Sequence, residues 1–114
     1  MIKNILVVVS SPVPGREEEY NRWYTEQHLA DVLRAPGFTS AQRFKLAAQG
    51  PSGMPGAYLA IYEYETDSAD EDLTQAFTVL RAATESGAMF ISTAMDPVSI
   101  HASIYAPITE KVRS

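Results

Sequence analysis

The stretch YNRWYTEQHLADVL, residues 20–33, has the apolar spacing of a helix, yet it places His28 and Asp31 among Tyr20, Trp23 and Tyr24. What flanks the stretch sets its limits. Upstream, SPVPG (11–15) interrupts the chain, because two prolines can continue neither a central strand nor a helix interior. Glu17, Glu18 and Glu19 then suit the positive end of a helix dipole. Downstream, APG (35–37) ends the helix: the residue before Pro36 avoids helical geometry, and Gly37 tolerates the turn. The pattern predicts a helix from about Arg16 to Leu33.

Strands are predicted on both sides of it. KNILVVVS (3–10) is short and β-branched, the pattern of a buried strand. FTSAQRFKLAA (38–48) is a second strand, and QGPSGMPG (49–56) is a hairpin connection rich in glycine and proline. AYLAIYEYET (57–66), alternating and rich in tyrosine, is a third. Ser68, Ala69, Asp70 and Glu71 form a capping-box pattern that opens a second helix. Its apolar stripe is Leu73, Ala76, Phe77 and Leu80, and Gly87 suits its end. AMFISTAMD (88–96) fits either an irregular segment or a short strand, and VSIHASIYAPI (98–108) is the last strand, stopped near Pro107.

The order is β-α-β-β-α-β across one domain, residues 1–114. That is the α+β, ferredoxin-like arrangement: a four-stranded antiparallel sheet with two helices on one face. Ile5, Val7 and Val9 alternate with Leu6 and Val8, so both sheet faces are apolar. Pairing of two copies, sheet against sheet, is the simplest cover for the second face, and a homodimer is expected.

At about 100° per residue, Tyr24, Asp31, Val32 and Asn21 fall on the same side of the first helix as His28. Glu19, Arg22 and Glu26 gather opposite, with Trp23 at the edge of that charged side. A histidine so placed can be a core residue satisfied by hydrogen bonds, and Asp31 can simply hold Arg34 or Arg43. Burying an imidazole and a carboxylate together costs several kcal/mol unless both are paired or wet. A partly solvated pocket meets that condition and gives acid–base chemistry an imidazole that titrates near neutral pH.

The totals exclude other classes. The net charge is −5 and the nine basic residues are scattered, which argues against nucleic acid or an anionic membrane as partner. No apolar run approaches the roughly 20 residues of a membrane span, and the early run ILVVVS is too short and too early for a secretory signal. There is no cysteine, hence no disulfide and no thiolate ligand or nucleophile, in keeping with a reducing cytoplasm. His28 and Asp31 have an i, i+3 spacing that could chelate with His101, but two histidines and no H-x-x-x-H pattern make a metal site weakly supported, and none is expected. GPSGMPG lacks the lysine of a phosphate loop, and no G-x-S-x-G occurs.

The pattern P-x-P-G-R-E-E-E-Y-N-R-W-Y-x-x-x-H-L-x-D-V-L-x-x-P-G-F-x-x-A-Q-R-F, with AYLAIYEYET, resembles the EthD-like branch of the dimeric α+β-barrel superfamily. The resemblance is clearest over residues 4–66. It implies a homodimer whose sheets close into a barrel, with a pocket in each subunit between sheet and helices and no cofactor. Relatives include cofactor-free isomerases, cyclases, dehydratases and quinone-forming monooxygenases, and proteins of aromatic, ether or steroid catabolism with no defined activity. His28 matches the motif's helical histidine, and Tyr24 and Asp31 match its neighbours; Gln42, Arg43 and Tyr62 carry over more thinly.

The expected function is therefore that of a cytoplasmic, cofactor-independent enzyme. It would move a proton on a hydrophobic oxygenated catabolite: an aromatic, lactone, polyketide or steroid-like compound. His28 would move the proton, Asp31 would orient or charge-stabilise the imidazole, and Tyr24 would donate to a developing oxyanion. Arg43 would hold an acidic or enolate oxygen, while Trp23 and Tyr62 shape the walls. Glu63, in mid-strand, needs a cation, and Arg43 is its expected partner. His101 shares a strand face with Ser99, Ser103 and Tyr105, a polar stripe that either meets solvent or lines a barrel interior. A non-catalytic ligand-binding or accessory protein, and a cofactor-free monooxygenase, are the alternatives.

Overall fold

Prolines and glycines set most element boundaries as the sequence predicts. The computed structural model describes residues 1–114 and contains β1 (Ile2–Ser10), α1 (Glu17–Trp23), a π-helical turn (Tyr24–His28), α2 (Leu29–Leu33), β2 (Phe38–Lys45), β3 (Tyr58–Thr66), α3 (Gln75–Glu85) and β4 (His101–Tyr105). α1, the π turn and α2 form one continuous rod. The four strands make one antiparallel sheet in the order β2-β3-β1-β4, so the ferredoxin-like α+β expectation holds. No helix is long and apolar enough to cross a membrane.

The core lies between the sheet and the helices. β1 presents Leu6 and Val8, β3 presents Ala60, Tyr62 and Tyr64, and the rod presents Tyr20, Trp23, Tyr24 and Val32, all buried. Gly37 makes the turn from rod to β2 with φ +93°, and a Cβ there would lie 2.5 Å from the Tyr64 ring. Only glycine satisfies both conditions.

Three boundaries differ from expectation. The capping-box residues close a turn rather than the helix: Glu71 accepts from the amides of Asp67 and Ser68. α3 starts only at Gln75, after Asp72 has accepted from the amide and hydroxyl of Thr74. The stripe survives this shift, with Ala76 fully buried and Leu73, Phe77 and Leu80 packed against the core. β2 ends at Lys45, and β4 is shorter than predicted because Asp96–Ser99 is a turn, with Ser99 N bonded to Asp96 O at 3.1 Å.

The opposite sheet face carries Ile5, Val7, Leu59 and Ile61, which no helix of this chain covers and which stay half-buried. Phe44 and Tyr105, on the same face, are exposed.

Candidate functional site

The π turn organises the site. Its backbone bonds run from i to i+5 and widen the helix locally. A regular helix would leave Trp23 and His28 about 140° apart around the axis. Here they share one face and their rings stack, with centroids 4.6 Å apart and planes at 27°. Trp23 is consequently buried rather than placed at the charged edge that a uniform wheel predicts. Its Nε1 donates to the Phe90 carbonyl at 3.1 Å, tying the rod to the irregular segment after α3.

Tyr24 meets His28 edge-on, with centroids 4.9 Å apart and planes at 89°. From β3, the Tyr62 hydroxyl donates to the Tyr24 hydroxyl at 3.2 Å. His28, Tyr24 and Tyr62 line one cavity of about 150 Å³. Leu6, Val8 and Ala102 contribute from the sheet, Val32 from α2, and Phe77 and Leu80 from α3. Ile100 and Ala102 both line it and are exposed, so its mouth lies beside β4. His28 is the one non-hydrophobic group in this lining.

Burial sets the electrostatics. The imidazole of His28 is pushed down to about 4, chiefly because desolvation disfavours its cation. The Asp31 carboxylate opposes that shift, and the Arg43 guanidinium adds to it. His28 Nδ1 is buried with no partner among the protein atoms. Burial also pushes the Tyr24 phenol up to about 12 and the Tyr62 phenol further up. At neutral pH the site is an uncharged imidazole beside two uncharged phenols.

The remaining candidates sit elsewhere. Asp31 is buried but is held by Arg34, one turn on, so its charge reaches the imidazole through space and not through a hydrogen bond. Arg43 lies on the helix side of β2 with its guanidinium 4.5 Å from the Tyr24 ring centroid, and also over Tyr20 and Tyr58. It donates to Asn21 Oδ1 and Thr25 Oγ1, both at 2.8 Å, and does not line the cavity. The expected Glu63–Arg43 pair does not form. A bulge between Phe38 and Ser40 sets Ser40 opposite Glu63 and Arg43 opposite Ala60, and Ser40 Oγ donates to Glu63 Oε1 at 2.5 Å. Gln42, Glu63 and His101 project from the uncovered sheet face, with His101 paired to Val9, so the sheet separates them from His28. No three His, Asp or Glu side chains are grouped as metal ligands.

The sequence reading missed the wall formed by Met89, Ile91 and Met95. They belong to the segment 88–96, which is irregular and joined to the N-terminal half by a bridge between Pro12 and Met95. The available signal was two methionines and an isoleucine in a segment with no regular period, since methionine fills irregular gaps. A larger cleft of about 460 Å³ opens beneath the β2–β3 connection around Phe44, Leu46 and Met54. Neither histidine and no carboxylate lines it, whereas His28 lines the smaller cavity.

No protein-family model matches the sequence, and no curated protein matches it significantly. Solved structures do share its fold. An ethyl tert-butyl ether D (EthD) family protein from Bacillus halodurans C-125 superposes with a TM-score of 0.52 at 14% identity, over 97% of this chain and 100% of that one. A protein from Shewanella loihica PV-4, provisionally described as a monooxygenase, superposes with a TM-score of 0.53 at 18% identity, over 100% of this chain and 99% of that one. The fold is thus the one that the resemblance to EthD-like proteins implied.

Proposed function

We propose that the chain is a small-molecule enzyme that transfers a proton without a cofactor, with His28 as the acceptor. One observation carries the reading: a neutral imidazole, with Nδ1 unpartnered, is the single non-hydrophobic group in a cavity otherwise lined by apolar and tyrosyl side chains. Removing a proton from carbon next to a carbonyl creates an imidazolium and an enolate oxyanion together. In a desolvated site each charge stabilises the other. Tyr24 accepts its hydrogen bond from Tyr62 and keeps its own hydroxyl hydrogen for that oxyanion. Return of the proton to a different carbon completes an isomerisation.

The test is deuterium wash-in from D2O at the carbon next to the carbonyl of β,γ-unsaturated cyclic ketones and aryl ketones, followed by proton NMR. Exchange by the wild type at least about 100-fold faster than by His28→Ala is the expected result. Exchange that does not depend on His28 would overturn the reading. A second reading, ligand binding without turnover, draws support from Asp31: its pairing with Arg34 leaves the imidazole without the hydrogen-bonded carboxylate that makes a histidine a stronger base. Binding that requires His28, with no exchange in any compound, would favour it.

We also propose that two copies pair through the face bearing Ile5, Val7, Leu59 and Ile61, as in a dimeric barrel. Val7→Glu should then give a monomer in analytical ultracentrifugation where the wild type sediments as a dimer.

A further inference from the structure

We propose that the cavity beside His28 takes a neutral compound of one ring with a single polar atom, and rejects anions and two-ring compounds. This rests on the cavity being the functional site. Its volume is about 150 Å³, and a cavity of about that size admits one benzene-sized ring. A ring with a few substituent atoms fills it; a second fused ring exceeds that volume and must either move a wall or stand out of the mouth beside Ile100 and Ala102, in water. Met89 and Met95 can adapt the walls to different substituents, since methionine is unbranched and flexible.

The charge preference follows from where the cations are. Arg43 is spent on Asn21, Thr25 and the tyrosine rings, and Arg34 on Asp31; neither lines the cavity. The imidazole itself stays neutral at physiological pH, because its titration is pushed down to about 4. A carboxylate or phosphate would therefore enter without a counter-charge. The polar contacts on offer are the imidazole of His28 and the hydroxyl hydrogen of Tyr24, which suit one oxygen and no more.

Calorimetric titration of the full chain at pH 7 with p-cresol, benzoate and 2-naphthol tests this, using wild type, Ala102→Phe and Leu80→Ala. Ala102→Phe fills the mouth and Leu80→Ala enlarges the interior. The expected result is that p-cresol binds the wild type, and that benzoate and 2-naphthol bind at least about ten-fold more weakly. Ala102→Phe should weaken p-cresol at least about ten-fold, and Leu80→Ala should tighten 2-naphthol selectively. Benzoate or 2-naphthol binding the wild type as tightly as p-cresol, and equally sensitive to Ala102→Phe, overturns the size and charge class while leaving the site in place. No binding by any of the three, or binding indifferent to Ala102→Phe, overturns both the class and the site.

Discussion

The indole of Trp23 stacks on the imidazole of His28 across the π turn, 4.6 Å between centroids, with its own N–H fixed to the Phe90 carbonyl. One face of the imidazole is thereby closed to water by a ring that cannot readily move. That arrangement accounts for desolvation as the leading cause of the depressed His28 titration.

Trp23→Ala should therefore raise the His28 titration from about 4 toward the ordinary 6.5, followed by NMR of the imidazole protons. It should also cost about 3–5 kcal/mol of stability, as large-to-small core changes do. Trp23→Phe keeps a ring over the imidazole, so it should cost less and hold the titration low. A titration near 4 in both variants would mean that other walls desolvate the group.

The same shift predicts a dependence of stability on pH. The unfolded imidazole takes up a proton near 6.5, the folded one only near 4. Between those values the unfolded chain binds more protons, so stability falls as pH falls through this window. The full loss is on the order of 3 kcal/mol. Urea unfolding at pH 7.5 and 4.5 should show most of it in the wild type and little in His28→Gln. An equal loss in the variant would assign the effect to other groups.

Period and punctuation made the fold legible, because strands alternate and prolines stop them. The site was only half legible, for three physical reasons. A uniform helical wheel has no means of anticipating the π turn, and so it placed Trp23 at the charged edge. Both faces of β1 are apolar, so alternation grouped His101 with Ser103 and Tyr105 correctly without saying which face meets the helices. The bulge between Phe38 and Ser40 moves β2 by one residue against β3, which turns Arg43 to the helix side of the sheet and leaves Glu63 on the other. His28, Tyr24 and Tyr62 share one cavity because the rod and β3 face each other across the core.

The hydrogen bond from Tyr62 to Tyr24 predicts an asymmetry between two phenylalanine substitutions. Tyr62→Phe removes the donor and leaves Tyr24 able to use its hydroxyl elsewhere, so it should cost about 1 kcal/mol. Tyr24→Phe leaves the Tyr62 hydroxyl buried without an acceptor and should cost more, about 1–3 kcal/mol. The double variant should cost less than the two singles added, because neither partner is then stranded. Denaturant melts of the four proteins decide this, and strict additivity would show that the two hydroxyls do not interact.

Arg43 lies over three tyrosine rings while its two terminal nitrogens hold Asn21 and Thr25, a use that needs a planar fork. Arg43→Lys keeps the charge but can neither stack nor reach both partners, so it should cost about 1–3 kcal/mol. Arg43→Met removes the charge as well. Since that charge helps to depress the imidazole, Arg43→Met should raise the His28 titration while Arg43→Lys leaves it low. Stability and titration thus separate the two roles. If Lys matches the wild type in unfolding, the fork contributes nothing, and if Met leaves the titration unmoved, the charge does not reach His28.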